Sequence, residues 1–112
     1  MENLSIGQVV LATLPFSDLT SNKVRPCLII GLAEFNDIAL CQITSKRYQS
    51  RRAVALLQTD FSEGSIVTNS FIRPDKIATL DRGTIKTELG KISDSKLREV
   101  KLILKRFLEI DS

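Results

Sequence analysis

Residues 70–81 read SFIRPDKIATLD, a strand-like stretch that is interrupted by a proline and three charged residues. The apolar residues on either side predict one short strand over residues 70–74 and a second over residues 76–80. Pro74 has no backbone N–H to donate, so it predicts a strand end, a sheet edge or a bulge here. Arg73, Asp75 and Lys76 place charge at the interruption, where a hydrophobic core has no use for it. We therefore expect these side chains to face a charged ligand.

The composition is that of one soluble domain. The chain has 112 residues, 43% of them hydrophobic and 26% charged, which fits a single domain over residues 1–112. The net charge of +3 permits nucleic-acid binding without requiring it. The cations gather in three predicted loops, which either form one positive surface or are three separate solvated loops. These cations are Lys23, Arg25, Lys46, Arg47, Arg51, Arg52, Arg73 and Lys76.

Several classes of site are disfavoured by the residue types present. The chain has no histidine, the commonest general acid–base residue and transition-metal ligand, and its scattered carboxylates suggest no metal site. Cys27 and Cys41 lie in apolar segments without metal or redox spacing, which predicts reduced thiols in a cytoplasmic protein. The longest apolar run, residues 27–33, is too short to span a bilayer, and residues 1–3 do not resemble a signal peptide.

The pattern along the chain predicts many short strands and one helix. Strands are expected over residues 8–14, 27–32, 38–43, 53–57 and 87–92, with a turn at residues 63–64 and extended chain over residues 65–67. Apolar residues recur at helical spacing over residues 93–108, with Ser93, Asp94 and Ser95 as possible N-caps. We expect a mainly β fold, a small barrel or strongly curved sheet, with one C-terminal helix packed on it.

Polar residues mark three strand ends, and each has an ordinary explanation when taken alone. Arg25-Pro26 is common at a strand start, Thr44-Ser45 is typical of a turn, and Arg73 with Asp75 could form an exposed ion pair of little energetic value. Together they suit a phosphodiester, which binds guanidinium and hydroxyl donors and needs a carboxylate to take a proton. RNA carries its own nucleophile, the 2′-hydroxyl, so its cleavage needs no metal and no protein nucleophile.

At this point the sequence resembles a known family, the MazF/PemK toxins of type II toxin–antitoxin systems. The matching segments occur in the order found in that family and cover nearly the whole chain. They are residues 7–11 (GQVVL), 15–18 (PFSD), 25–30 (RPCLII), 42–46 (QITSK), 70–77 (SFIRPDKI), 79–81 (TLD) and 89–94 (LGKISD). The third contains an Arg-Pro motif and the fourth a Thr-Ser motif.

The resemblance implies a fold, an activity and partners. The fold is a compact SH3-like barrel of the CcdB/PemK type with a C-terminal helix, working as a homodimer without a cofactor or metal. The activity is metal-independent, sequence-specific cleavage of single-stranded RNA, often mRNA. A cognate antitoxin protein neutralises such toxins by covering the RNA groove, and no membrane is involved.

The resemblance also implies roles for residues. Arg25 and Thr44 match the usual catalytic pair, and Arg73 and Asp75 match an Arg and Asp used by the PemK-like branch. We expect Asp75 to accept the 2′-hydroxyl proton, Arg25 and Arg73 to neutralise the phosphate, and Thr44 to donate to it. Contacts to RNA are expected from Ser45, Lys46, Arg47, Arg51, Arg52 and Lys76.

The sequence departs from the family in places, and other functions remain open. It lacks a histidine in the first loop, and it has Gln8 and Ala78 where acidic and arginine residues are frequent. One alternative is a non-catalytic, CcdB-like toxin that acts on DNA gyrase. The other is a degenerate relative that binds nucleic acid without cutting it.

Overall fold

A computed structural model describes residues 3–15, 22–46 and 50–110. Within them, seven strands form one antiparallel sheet and are followed by one helix. The strands are β1 (Gln8–Pro15), β2 (Asn22–Leu32), β3 (Asp37–Thr44), β4 (Val54–Leu56), β5 (Phe61–Gly64), β6 (Ser70–Asp81) and β7 (Ile85–Ile92), and the helix is α1 (Asp94–Phe107). Short 3-10 turns, Gln58–Asp60 and Arg82–Thr84, precede β5 and β7. The predicted class, mainly β with a C-terminal helix, is confirmed.

The sheet is curled into a half-barrel with the strand order β4-β6-β3-β2-β1-β7-β5. Register shifts interrupt four of its strand pairs, and such shifts bend and twist a sheet locally. The edges are formed by the two shortest strands, β4 with three residues and β5 with four. Short edges expose few unpaired backbone groups to other chains.

Both faces of the central strands are buried, which explains why β2 and β3 read as nearly continuous apolar runs. Successive side chains of a strand point to opposite faces. Cys41 and Ile43 accordingly belong to one buried cluster, which α1 covers with Val100. Leu40 and Cys27 belong to a second cluster.

Helix α1 begins and packs as its sequence pattern predicts. Of the three candidate caps, Ser93 is the N-cap, and its hydroxyl accepts a hydrogen bond from the Lys96 N–H at 3.2 Å. Val100 is fully buried, and Leu97 and Leu104 are partly buried beside it. The helix therefore contributes its apolar stripe to the core.

The two strands predicted around Pro74 are wrong, because β6 is one strand of twelve residues. Of the three features that Pro74 allowed, the structure has a bulge in the pairing with β3. Ile72 pairs with Ile43 and Ile77 with Cys41, so the four residues between Ile72 and Ile77 stand opposite Gln42 alone. The strand continues through Pro74 because the bulged residues are not paired with β3, so the absent N–H of proline costs this pairing no hydrogen bond.

The turn predicted at residues 63–64 is also wrong, and residues 65–67, which were predicted to be extended, lie outside every strand of the described chain. Residues 61–64 form β5, which pairs with β7 and brings Gly64 against Gly90. A Cβ atom on Gly64 would overlap the Leu89 carbonyl oxygen, and Gly64 has a φ of +69°. The two glycines permit a close approach of β5 and β7 that no side-chain pattern reveals.

Candidate active site

A groove of about 610 Å³ lies where β2, β3 and β6 meet. Arg25 comes from β2, Thr44 from the end of β3 and Arg73 from the bulge of β6, and all three line it. Ser45 and Lys46, which follow β3, and Lys76 from the bulge line it as well. Six of the ten residues that the sequence suggested for the site therefore share one concave surface.

The groove is electropositive. Arg25, Lys46, Arg73 and Lys76 line it, and no acidic residue does so in the part of the chain that the structure describes. Cations collected in a concave surface attract polyanions and raise their local concentration. Hydroxyl groups that can donate to phosphate oxygens belong to Thr44, Ser45, Ser65 and Thr68. The Ser70 hydroxyl also lines the groove, but it already donates to the Thr68 carbonyl oxygen at 2.7 Å.

Thr44 has both the turn role and a position suited to chemistry. Its Oγ1 accepts a hydrogen bond from the Lys46 N–H at 3.1 Å, which shapes the chain after β3. A hydroxyl that accepts such a bond still has its own hydrogen to donate. Thr44 can therefore shape the turn and donate to a ligand at the same time.

Arg73 and Asp75 form an ion pair across Pro74. The Arg73 Nη2 lies 3.2 Å from Oδ2 of Asp75, and Nε lies 3.4 Å from Oδ1. The side chains are 32% and 21% exposed, respectively. Asp75 does not itself line the groove, so its carboxylate adjoins the site through Arg73.

Two other predicted RNA-binding residues, Arg51 and Arg52, do not line this groove. Arg51 and Arg52 line a second cavity of about 340 Å³, together with Ile103 and Arg106 of α1. The Arg52 guanidinium lies 5.3 Å from the ring centroid of Phe107. Arg47 falls outside the described residues.

The structure adds groove residues that the sequence did not single out. Residues 65–68 form a wall that includes the fully exposed Val67. Gln42 also lines the groove, and it is 9% exposed. A glutamine within the otherwise apolar residues 38–43 was the one available signal for it.

The thiols are unsuited to chemistry. Burial raises the pKa of Cys27 from 9.0 to about 12 and has the same effect on Cys41, because a buried thiolate loses its hydration. No group of three or more His, Cys, Asp or Glu residues that could hold a metal ion is found among the described residues. Among the helical residues described, none belongs to a helix long and apolar enough to cross a membrane.

Comparison with known families gives one match, over residues 5–108. The family is described as the PemK-like, MazF-like toxins of type II toxin–antitoxin systems. The match covers all the groove residues named above. Comparison with curated proteins finds no match.

Solved structures share the fold at low sequence identity. An endoribonuclease in complex with its cognate antitoxin, from a mycobacterial species, has a TM-score of 0.78 at 18% identity, covering 98% of this chain and 99% of its own. The toxin MazF-mt6 of Mycobacterium tuberculosis has a TM-score of 0.74 at 16% identity, covering 94% and 99%. The MazE–MazF complex of Deinococcus radiodurans has a TM-score of 0.76 at 18% identity, covering 96% and 98%. Structures this distant in sequence establish the fold.

Proposed function

The chain belongs to the PemK-like, MazF-like toxins of type II toxin–antitoxin systems, and we propose that it is a metal-independent, sequence-specific endoribonuclease acting on single-stranded RNA. The observation that carries the proposal is the convergence of Arg25, Thr44 and Arg73 in one electropositive groove. They come from three strands, and none of them belongs to either of the two buried hydrophobic clusters. Structural neighbours described as endoribonucleases support the same reaction class.

The proposed reaction is an in-line attack by the ribose 2′-hydroxyl on the adjacent phosphorus. Asp75 accepts the 2′-hydroxyl proton, and a bond forms between the 2′-oxygen and phosphorus. The bond from phosphorus to the 5′-oxygen breaks, and the departing oxygen takes up a proton from solvent. The products are a 2′,3′-cyclic phosphate and a 5′-hydroxyl end.

The groove stabilises the charge that develops on the phosphate. Arg25 and Arg73 offer guanidinium donors, which bind phosphate oxygens at two points. Thr44 and Ser45 add hydroxyl donors at the end of β3. Donors held in place by the sheet need little reorganisation during the reaction. This preorganisation is the main source of electrostatic stabilisation of the transition state.

Flanking nucleotides extend beyond the reacting phosphate. We assign Lys46 and Lys76 to neighbouring phosphates in the groove. Arg51 and Arg52, in the second cavity, would bind phosphates farther along the RNA. We assign the same role to Arg47, which is not among the described residues. Contacts of this kind make affinity fall as salt concentration rises.

The proposal includes a partner protein and a second copy of the chain. A cognate antitoxin would block the groove, by analogy with the mycobacterial endoribonuclease in complex with its antitoxin. The single domain over residues 1–112 would act as a homodimer in the cytoplasm. Light scattering that gives a monomer mass at micromolar concentration would contradict the dimer.

The test is cleavage of a long RNA of mixed sequence in EDTA, with both new ends mapped. We expect discrete cuts that leave cyclic phosphates, and we expect them to be lost in Arg25→Ala, Thr44→Ala, Arg73→Ala and Asp75→Ala. Arg98→Ala on the exposed side of α1 and Thr79→Val at the far end of β6 are matched controls that should cut normally.

Two results would contradict the proposal at different levels. Near wild-type cutting by all four variants would show that the site is assigned wrongly. RNA left intact by folded wild-type protein, freed of antitoxin, would show that the chain is not an endoribonuclease. DNA gyrase, the target of the CcdB-like alternative, and simple nucleic-acid binding would then be examined.

A further inference from the structure

Gln42 carries a buried polar atom with no partner. It lies near the end of β3, is 9% exposed and lines the groove. Its Oε1 is fully buried and accepts no hydrogen bond from the residues that the structure describes. Such an atom has lost its hydration and gained nothing in return, so it destabilises the unliganded protein. A ligand toward which the carboxamide turns, and which donates a hydrogen bond to Oε1, would remove that penalty.

The chemistry of the groove excludes phosphate as this ligand group. The charged side chains that line the groove, such as Arg25 and Lys46, only donate hydrogen bonds. A phosphodiester only accepts them, so it suits the cations and cannot satisfy an orphan acceptor. The group that binds Oε1 must carry an N–H or O–H. In RNA these groups are the nucleobase N–H groups and the ribose hydroxyls.

The position of Gln42 favours a base. Residues i and i+2 of a strand share a face, so Gln42 lies on the same face as Thr44, roughly 7 Å along β3. Its register partner is Cys27, two residues from Arg25 on β2. Gln42 is therefore beside the proposed position of the reacting phosphate but displaced from it along the sheet. The bulge of β6 lies opposite Gln42, and Pro26 and Ile66 provide apolar surface for a flat ring.

We propose that Gln42 is a specificity-determining residue, whose carboxamide oxygen accepts a hydrogen bond from an N–H of the nucleobase next to the scissile phosphate. The inference rests on the proposed endoribonuclease function. Its amide N–H₂ donates to the acceptor beside that N–H, the two-point contact by which carboxamides read bases. A base without a donor at this position leaves Oε1 buried and unpaired, so it is rejected. Gln42 thus fixes one position of the cut sequence.

The experiment compares wild type with Gln42→Met and Gln42→Leu on a randomised RNA pool, with the cut ends sequenced. Both variants keep the volume of the side chain and remove its hydrogen bonds. We expect preference at one position next to the cut to fall by about tenfold or more while cutting continues. We also expect the thermal midpoint to stay equal or to rise, because the orphan acceptor is gone.

Gln8→Met is the matched control. Gln8 is also buried, at 6% exposure, but its Oε1 accepts a hydrogen bond from the Ser5 N–H at 2.6 Å and it does not line the groove. Its replacement should lower the thermal midpoint and leave the base preference intact. A purely structural role for Gln42 would give the same pattern as Gln8.

The outcomes separate this inference from the proposed function. If wild type cuts and the Gln42 variants keep its base preference, or lose activity equally at every sequence, the specificity role is wrong. If wild type cuts no RNA, the endoribonuclease proposal fails, and a randomised pool of 2′-deoxy oligonucleotides tests Gln42 by binding alone. Loss of a positional preference in Gln42→Met then supports base reading, and an unchanged profile overturns it.

Discussion

The guanidinium of Arg73 binds both carboxylate oxygens of Asp75, across the proline that bulges β6. Residues two apart on a strand point to the same side, so the bulge still presents the two charges together. The pair fixes the orientation of a carboxylate that otherwise has several rotamers. In the proposed reaction, Asp75 takes up a proton, Arg73 thereby loses its anionic partner, and the charge of the reacting phosphate can replace it. Stabilisation of that phosphate would then be coupled to proton removal.

Asp75→Asn should separate proton transfer from binding. The asparagine keeps the shape of the side chain but cannot accept the 2′-hydroxyl proton, so single-turnover cleavage should slow by roughly 10²–10⁴-fold. RNA affinity should change little, because the variant keeps Arg25, Lys46, Arg73 and Lys76, the cations that line the groove. Asp94→Asn, in the exposed first turn of α1, is the control and should cut at the wild-type rate. A rate within a few-fold of wild type would show that another group takes the proton.

Lys76→Ala should reduce the salt dependence of RNA binding. A cation that neutralises one phosphate of a single strand contributes about 0.7 to the slope of log affinity against log salt concentration. The slope should therefore become shallower by about that amount, as measured by fluorescence anisotropy with an uncut 2′-deoxy oligonucleotide. Lys101→Ala, exposed on α1, should leave it unchanged. Equal slopes for wild type and Lys76→Ala would place Lys76 away from the nucleic acid.

Gly64→Ala should destabilise the fold more than any ordinary surface change. The new methyl group would meet the Leu89 carbonyl oxygen, and a φ of +69° is strained for alanine. Together these effects should lower the free energy of unfolding by roughly 2–5 kcal/mol in urea titrations. Gly31→Ala is the control, because its Cβ would lie an ordinary 3.4 Å from the Ala39 Cβ. Similar losses for the two variants would mean that β5 and β7 can separate without penalty.

Stability should fall in alkaline solution because of the two buried thiols. In the unfolded chain Cys27 ionises near its ordinary pKa of 9.0, whereas in the folded chain its pKa is about 12. The unfolded state therefore binds fewer protons between these values, and stability decreases as pH rises through that range. Each thiol contributes a slope of up to about 1.4 kcal/mol per pH unit.

The double variant Cys27→Ala/Cys41→Ala isolates this contribution in urea titrations from pH 8 to pH 11. Its stability should depend less steeply on pH than that of wild type, although the cavities lower its stability at every pH. Parallel pH profiles for the two proteins would show that lysine and tyrosine titration accounts for the alkaline loss.

Much of the fold could be predicted from local pattern. Helix α1 follows from the spacing of Leu97, Val100 and Leu104, because a helical period of 3.6 residues and a cap are both local properties. The central strands follow from their apolar runs. The single strand β6 and the edge strand β5 could not be predicted, because both depend on partners far away in the chain. Pro74 fits into β6 because the strand bulges opposite Gln42 of β3. Gly64 fits into β5 because its partner on β7, Gly90, has no side chain.

By itself, the sequence determined the kinds of chemistry available: guanidinium, hydroxyl and carboxylate groups at strand ends, without histidine. It also determined a mainly β chain with one terminal helix, since residue spacing fixes which side chains an element buries. Only the tertiary structure decided which of these groups meet. Strand pairing brings Arg25, Thr44 and Arg73 into one groove and leaves Arg51 and Arg52 beside α1. It also buries the Gln42 oxygen where none of the described residues donates a hydrogen bond to it, because burial and hydrogen bonding depend on neighbours that the linear order does not specify.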